Sequence, residues 1–206
     1  MKHIKAALTG EKRAHMPHHP LAGSSHKNAR HVTVFGAAFP TTEEYALAEN
    51  VGIVVARSGL VLVNGGYGGT MEASARGARS AGGTVIGITI TGDRITDGCE
   101  PNSHNSVVHE ATSLPMRVEK MLESEHIVVL DGSIGTLHEL VAALAQKQYD
   151  DPCRHIIVFG KRNQALVQYL VENAYLPLGI SETIAMPKTL EELKTLLETY
   201  IFFKLF

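Results

Sequence analysis

Tryptophan is absent from this chain, aromatic residues make up only 6% of it, and cysteine occurs twice, at Cys99 and Cys153. Two cysteines cannot build a disulfide framework, so the fold must rest on its apolar core and suits a reducing, cytoplasmic setting. Residues 1–31 hold no apolar run long enough for a signal peptide or a membrane span, and no membrane association is expected. A dominant charge is missing too: 19 Lys plus Arg face 21 Asp plus Glu, a formal net charge of -2. That balance argues against a general nucleic-acid binder. The P-loop pattern G-x-x-x-x-G-K-S/T is also absent, which excludes a P-loop triphosphatase.

What is present is a globular composition, 44% hydrophobic and 19% charged over 206 residues, enough for one domain with a real core. The charge is unevenly spread. Residues 1–31 hold Lys2, Lys5, Lys12, Arg13, Lys27 and Arg30 against Glu11 alone, together with six histidines. The acidic excess therefore belongs to the remainder. Residues 1–31 read as a mobile basic tail and 32–206 as a single nucleotide-binding domain. Metal capture by His15, His18 and His19 is a weaker reading, because no Cys or carboxylate nearby completes a ligand set, and no metal site is expected.

From His31 onward, short β-branched runs alternate with helical stretches. Strands are expected at Val32–Phe35, Leu60–Val63, Thr84–Ile90, Ile127–Leu130 and His155–Phe159, with helices over about Glu43–Arg57 and Met71–Ala81. Strands apolar throughout and separated by helices indicate an α/β fold, a Rossmann-like doubly wound parallel sheet with helices on both faces. Thr91–Thr112 breaks the alternation and reads as mostly loop, with Val107-Val108 a short strand candidate and a covering loop over a pocket one of its readings. Near the end, Thr189-Leu190-Glu191-Glu192 has the capping-box form and opens an apolar helix expected to dock on its own domain or on another subunit.

Two glycine-rich turns each follow a strand and open a helix: Asn64-Gly65-Gly66-Tyr67-Gly68-Gly69-Thr70 and Asp131-Gly132-Ser133-Ile134-Gly135-Thr136. Free N–H groups at a helix start favour phosphate, and glycine lets a ligand approach the backbone. The turn after the first strand, Gly36-Ala37-Ala38, lacks the dinucleotide spacing G-x-G-x-x-G, so a mononucleotide is the better fit. Candidate ligand-binding positions are Gly36, Gly65, Gly66, Gly68, Gly132, Ser133, Ile134, Gly135 and Thr136. Thr136-Leu137-His138-Glu139 has the form of a capping box, with Thr136 as N-cap. It would also hold the Glu139 carboxylate in ionised form near a helix N-terminus. Arg117 and Lys120, three apart on a helix, share a face; a solvated surface and an anion clamp are both open readings.

Asn64–Gly83 with Val85–Ile88, and Arg117–Leu140, together resemble the LOG family of cytokinin-activating phosphoribohydrolases. The family motif P-G-G-x-G-T-x-x-E falls on Asp131 to Glu139, with Asp131 and Ser133 standing where the family has Pro and its second Gly. The resemblance spans roughly Val32 to Leu170. It implies a Rossmann-like subunit, usually a homodimer, that binds a nucleoside 5'-monophosphate of the AMP type. Active members hydrolyse the N-glycosidic bond to free base and ribose 5-phosphate without a cofactor. By the same resemblance Glu139 is the catalytic glutamate and Arg117 the accompanying arginine. Glu139 would then stabilise an oxocarbenium-like sugar or activate water, and the Gly132–Thr136 amides would hold the phosphate. The alternative is a nucleotide or pterin-nucleotide carrier on the same fold that binds without turnover.

Overall fold

The computed structural model describes residues 30–91, 100–149 and 154–202; residues 1–29 of the expected tail, His15, His18 and His19 among them, lie outside these, while His31 opens the first strand. Six parallel strands form one sheet: β1 (His31–Phe35), β2 (Val61–Asn64), β3 (Val85–Ile90), β4 (Val107–Ala111), β5 (His126–Val129) and β6 (His155–Val158). Their spatial order is β4-β3-β2-β1-β5-β6. The helices are α1 (Thr42–Arg57), α2 (Thr70–Ser80), α3 (Leu114–Met121), α4 (Ile134–Tyr149), α5 (Lys161–Glu172), α6 (Leu178–Ser181) and α7 (Leu190–Phe202). This is the expected Rossmann-like α/β architecture.

The two faces of the sheet follow from the alternation of side chains along each strand. In β1, Val32 and Val34 join Val51 and Val55 of α1, Ala75 of α2, and Leu193 and Leu197 of α7 in one core. Phe35 points the other way, toward Val118 and Met121 of α3 and Leu140 and Leu144 of α4. Thr33 shares that second face. Its buried hydroxyl donates to the Met121 carbonyl at 2.6 Å and lies 2.8 Å from the Ser124 hydroxyl, so a polar group in the central strand is satisfied. Leu193 and Leu197 are fully buried, so α7 docks on its own domain. Thr189 accepts from the Glu192 amide, and the Glu192 carboxylate reaches back to the Lys188 amide at 2.7 Å.

The strand order fixes where a ligand can sit. From β1 the chain builds outward through β2, β3 and β4, then crosses to add β5 and β6 on β1's other side. The loops leaving β1 and β5 diverge at their carboxyl ends, the topological switch point where open α/β sheets bind ligands. Beyond residue 100 the described chain holds more strand than the sequence suggests. Residues 107–111 form a five-residue edge strand paired with β3, and four of its five residues are exposed.

Candidate active site

Helix α4 begins immediately after the second glycine turn. The Leu137 amide donates to the Ser133 carbonyl at 3.0 Å, which makes Ser133 the N-cap and Thr136 the third residue of the helix. The expected capping box is therefore displaced by one turn. Thr136 does not cap α4; its hydroxyl instead donates to the Gly36 carbonyl at 2.8 Å. That bond ties the turn after β5 to the turn after β1. The amides of Ile134, Gly135 and Thr136 have no intrahelical acceptor, and no described residue accepts from them. They form the open N-terminal end of the helix, a geometry that suits an anion. Ser133 is not among the non-glycine residues with positive φ, so replacing the family glycine there imposes no backbone strain.

Asp131 departs from the family pattern without facing this turn. Its two carboxylate oxygens accept from the backbone amides of Asn163 (3.1 Å) and Arg162 (3.3 Å), and the Arg162 guanidinium lies 3.8 Å away. Its charge serves the N-terminus of α5, which Gly160 leaves without a side-chain cap.

The first glycine turn is used differently. The Gly66 amide donates to the Asn64 side chain, and the Gly66 carbonyl accepts from the Asn102 amide and from the side chains of Asn102 and Asn105. The Gly65 carbonyl accepts from Arg117 at 3.0 Å. The carbonyls of Gly65 and Gly66 are thus held within the protein. Residues 102–105 thus hold it in place; they do not line the cleft beside it.

Arg117 projects from α3 into the space beneath that turn. Its Nε donates to the Ile88 carbonyl at 2.7 Å, its Nη2 to Gly65, and its guanidinium lies over the Tyr67 ring at 5.6 Å. A Cβ at position 65 would collide with Nη2, so glycine there is a condition for the arginine's placement. Lys120 goes elsewhere. Its ammonium donates to the Glu110 carbonyl at the exposed sheet edge, and the pair forms no joint clamp.

Arg117 and Glu139 line one small cleft of about 120 Å3, together with Gly36, Gly65, Ser133, Gly135 and Thr136. Gly66, Gly68, Gly132 and Ile134 do not line it. Burial raises the Glu139 carboxyl from 4.5 to about 7, and the charge of Arg117 offsets only part of that rise. The same desolvation lowers the Arg117 guanidinium, with Glu139 and Tyr67 opposing it. The helix N-terminus does not keep Glu139 ionised, as the sequence suggests, because desolvation dominates. At neutral pH the group is close to half protonated, the condition for moving a proton in either direction. Tyr67 and Met71, which contact Arg117, lie in and just after the first glycine turn and are not among the expected site residues.

The chain matches the profile of the SLOG cluster4 family over residues 29–176. It belongs to that LOG-like family. A protein of Archaeoglobus fulgidus is 36% identical over 117 residues, covering 56% of this chain and 74% of the relative. The cytokinin riboside 5'-monophosphate phosphoribohydrolase of Rhodococcoides fascians is 31% identical over 146 residues, covering 67% of this chain and 73% of that enzyme. Among solved structures, the molybdenum cofactor binding protein of Rippkaea orientalis superposes with a TM-score of 0.68 at 21% identity, over 85% of this chain and 99% of that one. No helix among the described residues is long and apolar enough to cross a membrane.

Proposed function

We propose that this SLOG protein is a nucleoside 5'-monophosphate phosphoribohydrolase acting on an AMP-like substrate. The observation that carries the reading is a proton-poised Glu139 in one cleft with the unsatisfied amides of the α4 N-terminus. The likeness to the Rhodococcoides fascians phosphoribohydrolase supports it. The amides of the α4 N-terminus, those of Gly135 and Thr136 among them, take the 5'-phosphate, and the sugar lies in the cleft beside Glu139. In the reaction the C1'–N bond breaks and water oxygen bonds to C1'. The leaving base takes up a proton, the water gives one up, and the products are free base and ribose 5-phosphate. Protonated Glu139 supplies the first proton; its ionised form offsets positive charge on the sugar or receives the proton from water. Arg117 holds the Gly65 turn and moderates the Glu139 carboxyl. No cofactor enters this scheme.

Incubation with AMP and with an N6-substituted AMP tests it, reading free base and ribose 5-phosphate. Product formation that disappears in Glu139→Ala is expected. Tight binding of the nucleotide with no product would instead support a nucleotide or pterin-nucleotide carrier, the reading favoured by the fold shared with the molybdenum cofactor binding protein. A homodimer in a cytoplasmic setting completes the proposal; sedimentation at micromolar concentration tests the dimer.

A further inference from the structure

A second, larger cavity lies at the same carboxyl edge of the sheet, on the side covered by α1. Its volume is about 690 Å3, within the range of small-molecule sites, whereas the Glu139 cleft falls below it. Its apolar lining comes from Leu47, Leu130, Phe159 and Pro187. The two spaces adjoin at Gly36. Gly36 lines the cleft, and a Cβ there would press on Thr70 and Leu130, both of which line the cavity.

The charges around this cavity are not matched. Of its three carboxylates, Glu44 closes the α1 capping box at Thr41 and pairs with Arg162 at 2.8 Å, while Asp131 caps α5. Glu43 alone is uncommitted. Against it stand Lys161, the first residue of α5, and Lys188, just before α7. Neither ammonium has an ion-pair or hydrogen-bond partner among the described residues. Two ammonium groups suit a phosphate monoester, which carries close to two negative charges at neutral pH, better than a single carboxylate.

We propose that this cavity is a second binding site, for a phosphorylated organic molecule of mononucleotide size. Lys161 and Lys188 hold the phosphate, and the apolar body lies against Leu47, Leu130, Phe159 and Pro187. The site uses no residue of the Glu139 cleft and does not depend on hydrolysis there.

Calorimetric titration of the full chain with AMP and with GMP tests it, in a Glu139→Ala background to prevent turnover. The expected result is saturable binding of which one site per chain is lost, or weakened at least tenfold, in Lys161→Glu/Lys188→Glu. Both lysines are exposed, so this variant should melt like the parent; Lys161→Ala/Lys188→Ala provides a milder check with the same direction. If the cleft also binds nucleotide, two sites fall to one. If it does not, a single site disappears, which overturns the cleft reading and supports this one. No saturable binding of either nucleotide, or binding unchanged by both lysine pairs, overturns the second site.

Discussion

Replacing Glu139 with Gln isolates the electrostatics of the cleft without requiring any knowledge of substrate. The carboxyl rises from 4.5 to about 7 on folding because burial disfavours its charged form. At about 1.4 kcal/mol per tenfold change in proton affinity, that rise corresponds to about 3 kcal/mol. Residual solvent contact, visible in the partial exposure of Glu139, trims the expected value to roughly 2–3 kcal/mol. The sign follows from proton counting. Below pH 4.5 both folded and unfolded chains hold the proton, and the group costs nothing. Between 4.5 and about 7 only the folded chain holds it, so stability falls as pH rises; above about 7 the full penalty persists. Urea unfolding of the parent and Glu139→Gln at pH 4, 5.5 and 8.5 should therefore show no pH-linked advantage of Gln at the lowest pH. The advantage should grow to roughly 2–3 kcal/mol at the highest, or about 4–12 °C in Tm. Any fixed cost of the new amide shifts all three values equally. A stability difference that stays constant from pH 4 to 8.5 would refute the assignment of Glu139 as a desolvated carboxyl.

Three further substitutions read other parts of the site. Gly65→Ala should expel the Arg117 guanidinium, because the new methyl and Nη2 claim the same space. Its kcat for base release should fall as far as that of Arg117→Ala, within about threefold. Asp131→Ala should cost roughly 1–2 kcal/mol in urea unfolding, the range for losing a helix cap. AMP affinity at the α4 N-terminus should change less than twofold; tighter binding would mean the carboxylate faces the phosphate after all. Thr136→Val removes the hydroxyl that holds the Gly36 carbonyl. A loss of about 1 kcal/mol in stability is expected, with a several-fold rise in KM for AMP as the two turns loosen.

The sheet was legible in the sequence because its central strands are continuous β-branched runs buried on both faces, as at Val32–Phe35 and Ile127–Val129. The edge strand was legible only in part, at Val107-Val108, since these two are 44% and 39% exposed and are followed by His109 and Glu110. Such a strand is held by its ladder to β3, a pairing with no local signature. The start of α4 failed for a related reason. Thr136-Leu137-His138-Glu139 satisfies the capping pattern, but Ser133 competes for the cap three residues earlier, and the Thr136 hydroxyl has a partner 100 residues away at Gly36. Once the helix starts at Ile134, Glu139 lies beyond reach of the cap amide, and its carboxylate is free to face the cleft.

The two glycine turns show why composition alone could not foretell what surrounds each of them. Both follow a strand, both open a helix, and both contain the residues that suit a phosphate. At Asn64–Thr70 the neighbouring polar side chains supply enough donors to occupy the turn: Asn102, Asn105 and Arg117 take the carbonyls of Gly65, Gly66 and Tyr67. At Asp131–Thr136 the one charged side chain turns away to cap α5, and Thr136 bonds across to β1. The amides of the first α4 turn are left with nothing to donate to. An open helix N-terminus of this kind presents its amides to solvent or to an anion. The turns therefore differ in what the fold places around them: side chains hold three carbonyls of the first, while the second opens beside the Glu139 cleft.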